Sequence, residues 1–149
     1  MQLINFRPPR IGMLFALVAA SIHWLVPVRA GFQLSVPVLG VALALAGFSI
    51  MMWAWWQFKK GDVAICPTAK TARLLTDGIY RLSRNPMYLG MVSMLFGLAA
   101  YVGTPSCYLA AAGYLAVLNF VFCRYEEAKL ESTFGQEFLN YKASVRRWL

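Results

Sequence analysis

Four long apolar runs, none containing a charged residue, constrain this chain more than any other feature. They are Ile11 to Val28, Leu34 to Phe58, Met87 to Gly103 and Pro105 to Cys123. A bilayer core of about 30 Å needs roughly 20 helical residues, so each run predicts a membrane span. The third is the shortest and must tilt or borrow from its flanks. One helix over residues 87–123 would far exceed the membrane at about 1.5 Å per residue. Gly103-Thr104-Pro105 supplies the break, with Thr104 as N-cap and Pro105 as first helical residue. The last two spans therefore form a tight hairpin.

The basic residues give the orientation. Six lysines and arginines (Lys59, Lys60, Lys70, Arg73, Arg81 and Arg84) lie in the second connection, and none lies in the third. Arg7 and Arg10 precede the first span, and Arg124, Lys129, Lys142, Arg146 and Arg147 follow the fourth. Positive-inside bias then puts both termini in the cytoplasm, with Arg29 as the exception. The prediction is an all-α integral membrane protein of one domain, residues 1–149, with four transmembrane helices. A cytoplasmic connection over 59–86 is expected to fold across the mouth of the bundle. An amphipathic helix over 124–147 carries Leu130, Phe134, Phe138, Tyr141, Val145 and Trp148 as its apolar stripe. That stripe either lies on the membrane surface or caps the bundle, and Gly135 permits a bend. The basic N-terminus is read as leading into a retained helix, because no small-residue cleavage site follows cleanly.

Composition removes several function classes. The net charge of +8 is explained by its placement between apolar runs, so nucleic acid is not an expected partner. Three cysteines without a C-x-x-C pair and a single histidine, His23, make a metal site unexpected. His23 reads as a packing residue, and Trp53, Trp55 and Trp56 as an interfacial belt, with an aromatic cage for a cation as the alternative. No Gly-rich dinucleotide or phosphate loop is present. Gly40, Gly47, Gly90 and Gly97, spaced by seven in each run, permit close helix packing.

Polar residues gather at two places. Tyr80, Arg81, Arg84, Asn85 and Tyr88 precede or open the third span, and Glu126 with Glu127 stands at the exit of the fourth. A hairpin puts both clusters on one side of the bilayer. Asn85-Pro86 is a helix-start pair, and an arginine beside a helix N-terminus favours a carboxylate or phosphate. Adjacent glutamates point to different helix faces, so one of the two is expected to face the hairpin partner. The repulsive i, i+4 pair Glu127 and Glu131 also argues against a purely solvated surface.

Two blocks carry a resemblance. Leu74 to Tyr88 reads L-L-T-D-G-I-Y-R-L-S-R-N-P-M-Y, similar to L-V-x-x-G-x-Y-x-x-x-R-[HN]-P-x-Y of the isoprenylcysteine carboxyl methyltransferase and phospholipid methyltransferase family. Glu126 to Tyr141 reads E-E-A-K-L-E-S-T-F-G-Q-E-F-L-N-Y and resembles that family's second block, E-E-x-x-L-x-x-x-F-G-x-x-Y-x-x-Y. The resemblance implies an integral membrane methyltransferase that uses S-adenosylmethionine without a Rossmann domain. It implies a cofactor pocket at Arg73, Leu74, Leu75, Tyr80, Asn85, Pro86, Met87, Tyr88 and Glu126. Arg84, Glu127 and Tyr88 become candidate catalytic residues, Arg84 for the anionic end of the cofactor and the other two as bases. A lipophilic acceptor would enter from the bilayer: an isoprenylcysteine-like carboxylate, a phospholipid amine or another small hydrophobic molecule. The expected location is a bacterial inner membrane with the site facing the cytoplasm. Asn85 stands where eukaryotic members carry histidine, and Phe138 where the block has tyrosine. Phe122 stands where the eukaryotic carboxyl methyltransferases carry a substrate-binding arginine, which weighs against a prenylcysteine acceptor. The rival readings are a non-catalytic four-helix scaffold and a small transporter subunit; no intramembrane carboxylate of the kind transporters use is predicted.

Overall fold

Each of the four long apolar helices begins at a proline. The computed structural model describes residues 8–25, 35–60 and 73–149, and all regular structure among them is helical. Helices α1 (Pro8–Leu25), α2 (Pro37–Lys60), α3 (Pro86–Val102) and α4 (Pro105–Val117) start at Pro8, Pro37, Pro86 and Pro105. Proline suits the first helical position because its missing N–H has no intrahelical partner there and its φ is already helical. The caps work differently from expectation. Neither Asn85 nor Thr104 makes a side-chain cap bond. The Thr104 hydroxyl donates instead to Cys107 Sγ at 3.2 Å, and the Asn85 amide is used elsewhere, as described below. Gly103 closes α3 at φ +81°, and an added Cβ would meet Ser35, so the hairpin turn requires glycine.

Among the described residues, two helices are long and apolar enough to cross a membrane: α2, and the continuous helix Pro105–Phe134. The latter contains α4, a π turn over Leu118–Phe122, and α5 (Cys123–Phe134). The fourth apolar run therefore passes into the tail without a break. After Gly135, at φ +52°, the short helix α6 (Gln136–Ser144) follows. The expected tail helix to residue 147 ends at Ser144, because Arg146 to Trp148 turn back and bond to the bundle.

Helices α2 and α3 run antiparallel in close contact. Val36 N–H donates to Ala100 O at 2.9 Å and Ser35 Oγ to Tyr101 O at 2.9 Å, pinning the start of α2 to the end of α3. A Cβ on Gly40 would lie 2.7 Å from Gly97 O, and one on Gly47 would lie 2.6 Å from Gly90 O. The two seven-residue glycine spacings interlock, bringing backbone against backbone. On the other side of α3, α1 packs on α4. Tyr114, fully buried, donates to Pro8 O at 3.1 Å and fills the space over Gly12. The outward faces are apolar, with Leu17, Leu45, Leu109 and Phe120 exposed, as a lipid surround requires.

The tail stripe caps the bundle. Leu74, Phe138 and Tyr141 form a buried cluster with Leu130, Phe134 and Val145 against it, while Trp148 joins the main core instead. Trp53, Trp55 and Trp56 are exposed, with Lys59 Nζ 5.3 Å above the Trp55 ring and Lys60 Nζ 3.8 Å above that of Trp56. Two of the three rings are thus covered by the chain's own lysines, an anchoring arrangement and not a cage. Arg7, Arg29, Asp62, Cys66 and Lys70 lie outside the described residues, as do residues 61–72 of the connection and the side chain of His23.

Candidate functional site

The chain around the start of α3 is held from three directions. On one side Gln57 Oε1, at the end of α2, accepts the Ile79 N–H at 3.1 Å and anchors the short 3-10 turn Gly78–Arg81. On the second, Tyr141 of α6 donates its hydroxyl to Tyr80 O at 2.7 Å. On the third, the C-terminal residues run past Ser83, Arg84 and Asn85. Arg84 N–H donates to Arg146 O at 3.0 Å, Ser83 Oγ to Arg147 O at 3.1 Å and Asn85 Nδ2 to Arg147 O at 3.3 Å. The amide expected to cap α3 thus holds the C-terminus, while the Asn85 N–H is met by Ser83 Oγ at 3.2 Å.

Both glutamates face inward, which corrects the expectation that only one would. Glu126 Oε1 accepts the Tyr88 hydroxyl in a short hydrogen bond between α5 and α3. Glu127 is buried and held in a fork by Arg147, with Nε to Oε1 at 2.8 Å and Nη2 to Oε2 at 2.7 Å. Arg84 Nη1 lies 3.2 Å from Glu127 Oε1, an ionic contact without hydrogen-bond geometry. Its Nε and Nη1 donors are buried and have no hydrogen-bond partner, although the side chain is only 11% exposed. A buried guanidinium with unmet donors is costly unless an acceptor visits it.

The charges separate the two carboxylates. Burial raises the Glu126 carboxyl to about 7, against the opposing pull of the Tyr88 hydroxyl and Lys129. Burial also acts to raise Glu127, but the Arg147 hydrogen bond and the Arg84 charge outweigh it and hold this carboxyl below the usual range. In return the Glu127 hydrogen bond raises Arg147. Burial pushes the Tyr80 and Tyr141 hydroxyls up, Tyr141 to about 12. Glu126 is therefore the group poised to exchange a proton near neutrality, and Glu127 is a fixed anion.

The candidate residues divide by position. Tyr80, Arg84, Asn85, Pro86, Tyr88, Glu126 and Glu127 come together at the start of α3. Leu74 lies behind them with Phe138 and Tyr141, and Leu75 and Met87 pack around Ala54, Ile79 and Tyr80. The Arg73 side chain is apart on the surface, 3.8 Å from Asp77 and 67% exposed. Three participants escaped sequence reasoning: Ser83, Asn119 and Arg147. Asn119 had a usable signal, being the one amide in the fourth apolar run. Arg147 had none beyond its charge, which the membrane bias already explained. Phe122 is fully buried in the main core. Among the described residues no cluster of three or more His, Cys, Asp or Glu could hold a metal ion.

A model of the phospholipid methyltransferase family matches residues 36–137, about two thirds of the chain and most of this site. The chain belongs to that family. It is also similar to an uncharacterized protein of Haemophilus influenzae, 36% identical over 63 residues, which span 42% of this chain and the whole of that protein. No solved structure matches. Membership brings the family's membrane setting and methyltransferase class to a chain whose described residues form only helices as regular structure, two of them long and apolar enough to span a bilayer.

Proposed function

We propose that this protein is an S-adenosylmethionine-dependent methyltransferase acting on a lipophilic or amphiphilic acceptor at the cytoplasmic membrane face. The proposal includes four spans, with α1 and α3 crossing beside the two longer helices and both termini on the site's side. The observation that carries it is Arg84: a buried guanidinium with two unmet donors, just before the N-terminus of α3 and against Glu127, the neighbour of Glu126 in sequence. Donors of that kind fit a carboxylate, and Glu126 fits hydroxyls or an ammonium. The residues present thus fit S-adenosylmethionine, which carries all of these groups. When bound, it supplies an electrophilic methyl on a sulfonium.

The chain's own contribution is placement and proton control. Arg84 and the start of α3 fix the anionic end, and Tyr80, Pro86 and Met87 line the apolar side. The tail cap over Leu74 keeps water from the pocket, which strengthens the polar contacts inside. A carboxylate or thiolate acceptor needs no base. For an amine or hydroxyl acceptor, the pair of Tyr88 and Glu126 takes the proton, because Glu126 titrates near neutrality while Glu127 is held ionised by two arginines. Of the two bases considered from sequence, Tyr88 keeps its place through Glu126, and Glu127 becomes an anchor.

Calorimetric titration of the protein in lipid nanodiscs with S-adenosylmethionine and S-adenosylhomocysteine tests this reading. Binding is expected, and both Arg84→Ala and Glu126→Ala should weaken it at least about tenfold, the scale of a lost charged contact. A folded protein that binds neither ligand would leave the scaffold reading in its place. The transporter reading gains nothing from the described residues, whose carboxylates all lie outside the apolar runs.

A further inference from the structure

The helix from Pro105 to Phe134 changes pitch at Leu118–Phe122, where five residues form a π turn. One residue more per turn rotates everything downstream by about 100° relative to an uninterrupted α-helix. Glu126 and Glu127 are downstream, so the turn decides which way each points. A π turn is held only where its surroundings hold it, because its backbone groups pair less well than those of an α-helix. Here the surroundings are the last residues of the chain. Arg147 Nη1 donates to Asn119 Oδ1 at 3.0 Å and reaches the Asn119 carbonyl at 3.5 Å. Trp148 Nε1 donates to the same Asn119 Oδ1 at 3.1 Å. The remaining guanidinium donors fork onto Glu127, and the Arg147 carbonyl accepts from Ser83 and Asn85. One residue therefore touches the π turn, the helix after it and the segment before α3.

We infer that Arg147 is a positioning residue of the candidate site: through Asn119 and Glu127 it locks the π turn in the register that aims Glu126 at Tyr88. The Arg147 guanidinium bonds to Glu127 and Asn119, not to Glu126 or Tyr88, so its effect on them is transmitted. A guanidinium is needed because it is a rigid fork that serves two acceptors at once. A lysine would preserve the charge opposite Glu127 and lose the second arm. The inference deepens the proposed function and rests on it only for the ligand-binding arm of the test.

The variants are Arg147→Lys and Asn119→Ala in the full chain, in nanodiscs. The first readout needs no ligand: the infrared carboxyl band of Glu126, isolated as the difference from Glu126→Gln and followed through pH. The groups facing Glu126 are Tyr88 on α3, Tyr80 in the 3-10 turn, and Cys123 and Lys129 on its own helix, and both variants leave all four in place. In both, the band is expected to titrate at least about one unit lower, toward an ordinary carboxyl, as Glu126 leaves the Tyr88 pocket. S-adenosylhomocysteine affinity should fall at least about tenfold, the scale of a misplaced contact. A Glu126 band and affinity unchanged in Arg147→Lys would overturn the inference, reducing Arg147 to a counter-charge. If that variant does not fold, Asn119→Ala decides alone, since it leaves the Arg147 and Glu127 pair intact; an unchanged band there overturns the inference too. Absence of ligand binding by the unaltered protein would count against the proposed function, while the infrared result would still decide this one.

Discussion

Helix α3 makes two kinds of interface within three residues of each other. Gly90 and Gly97 meet α2 through backbone atoms and the Cβ atoms of Met51 and Ala44, with no polar side-chain atom at either glycine. Tyr88 and Asn85 meet α5 and the C-terminus through hydrogen bonds. The first interface suits a lipid setting, where apolar side chains gain little from leaving lipid and close backbone packing must supply the attraction. It tolerates no added bulk, yet it aims no side chain. The second is open to change in shape and closed to change in charge, because each ion is buried against a partner. The difference teaches that α2 and α3 form a frame, and that the orientation of the site comes from the tail.

The largest expected effect lies in the polar interface. Glu127→Ala leaves Arg84 and Arg147 without their anion, and breaking a buried pair in this way costs about 3–5 kcal/mol. Thermal unfolding in nanodiscs should show it. A loss no larger than that of a surface charge would mean that water already reaches the cluster, and the contrast between the two interfaces would collapse.

Gly97→Ala comes next. Its Cβ would stand 2.6 Å from Gly40 O and 2.7 Å from Ala44 N, both backbone atoms that cannot swing aside. Overpacking of this kind costs about 1–3 kcal/mol. The folded fraction should bind S-adenosylhomocysteine with unchanged affinity, since Gly97 meets only Gly40 and Ala44, away from the residues of the candidate site. A parallel loss of affinity would show that the frame also aims the site.

The legible parts of this molecule are those written in neighbouring residues. Gly103-Thr104-Pro105 gives the hairpin, Asn85-Pro86 the start of α3, and the paired glycine spacings the contact between α2 and α3. Which glycine meets which is not local information and emerged only with both helices in place. The tail was misread at its end because Val145 and Trp148 continue a helical spacing that the chain does not follow. The bonds that turn it aside reach from Arg147 to residues 20 and 28 positions earlier in sequence. The π turn leaves no apolar pattern of its own, so the inward aim of both glutamates could not be foreseen from the 100° between neighbours. Asn119 alone in its run was the one visible trace of that device.

The smallest effect separates the interfaces by pH. The Glu126 carboxyl is raised from the ordinary 4.5 to about 7 in the folded protein, with burial as the main cause. Between those values the folded state keeps a proton that the unfolded state has released, so stability falls as pH rises through the window. One unit corresponds to about 1.4 kcal/mol, and partial exposure leaves an effect on the order of 1–2 kcal/mol. Glu127 acts in the opposite sense and outside the window: its carboxyl is lowered, so its contribution is lost only as pH drops below the ordinary range. The stability of Glu126→Gln relative to the unaltered protein should therefore rise from about pH 5 to about pH 7.5, the span the two values bracket. The deficit of Gly97→Ala should stay constant over the same range, since no titrating group lies in its contact. A deficit that tracked pH in both variants would place the proton's influence in the helix frame and would merge the two interfaces into one.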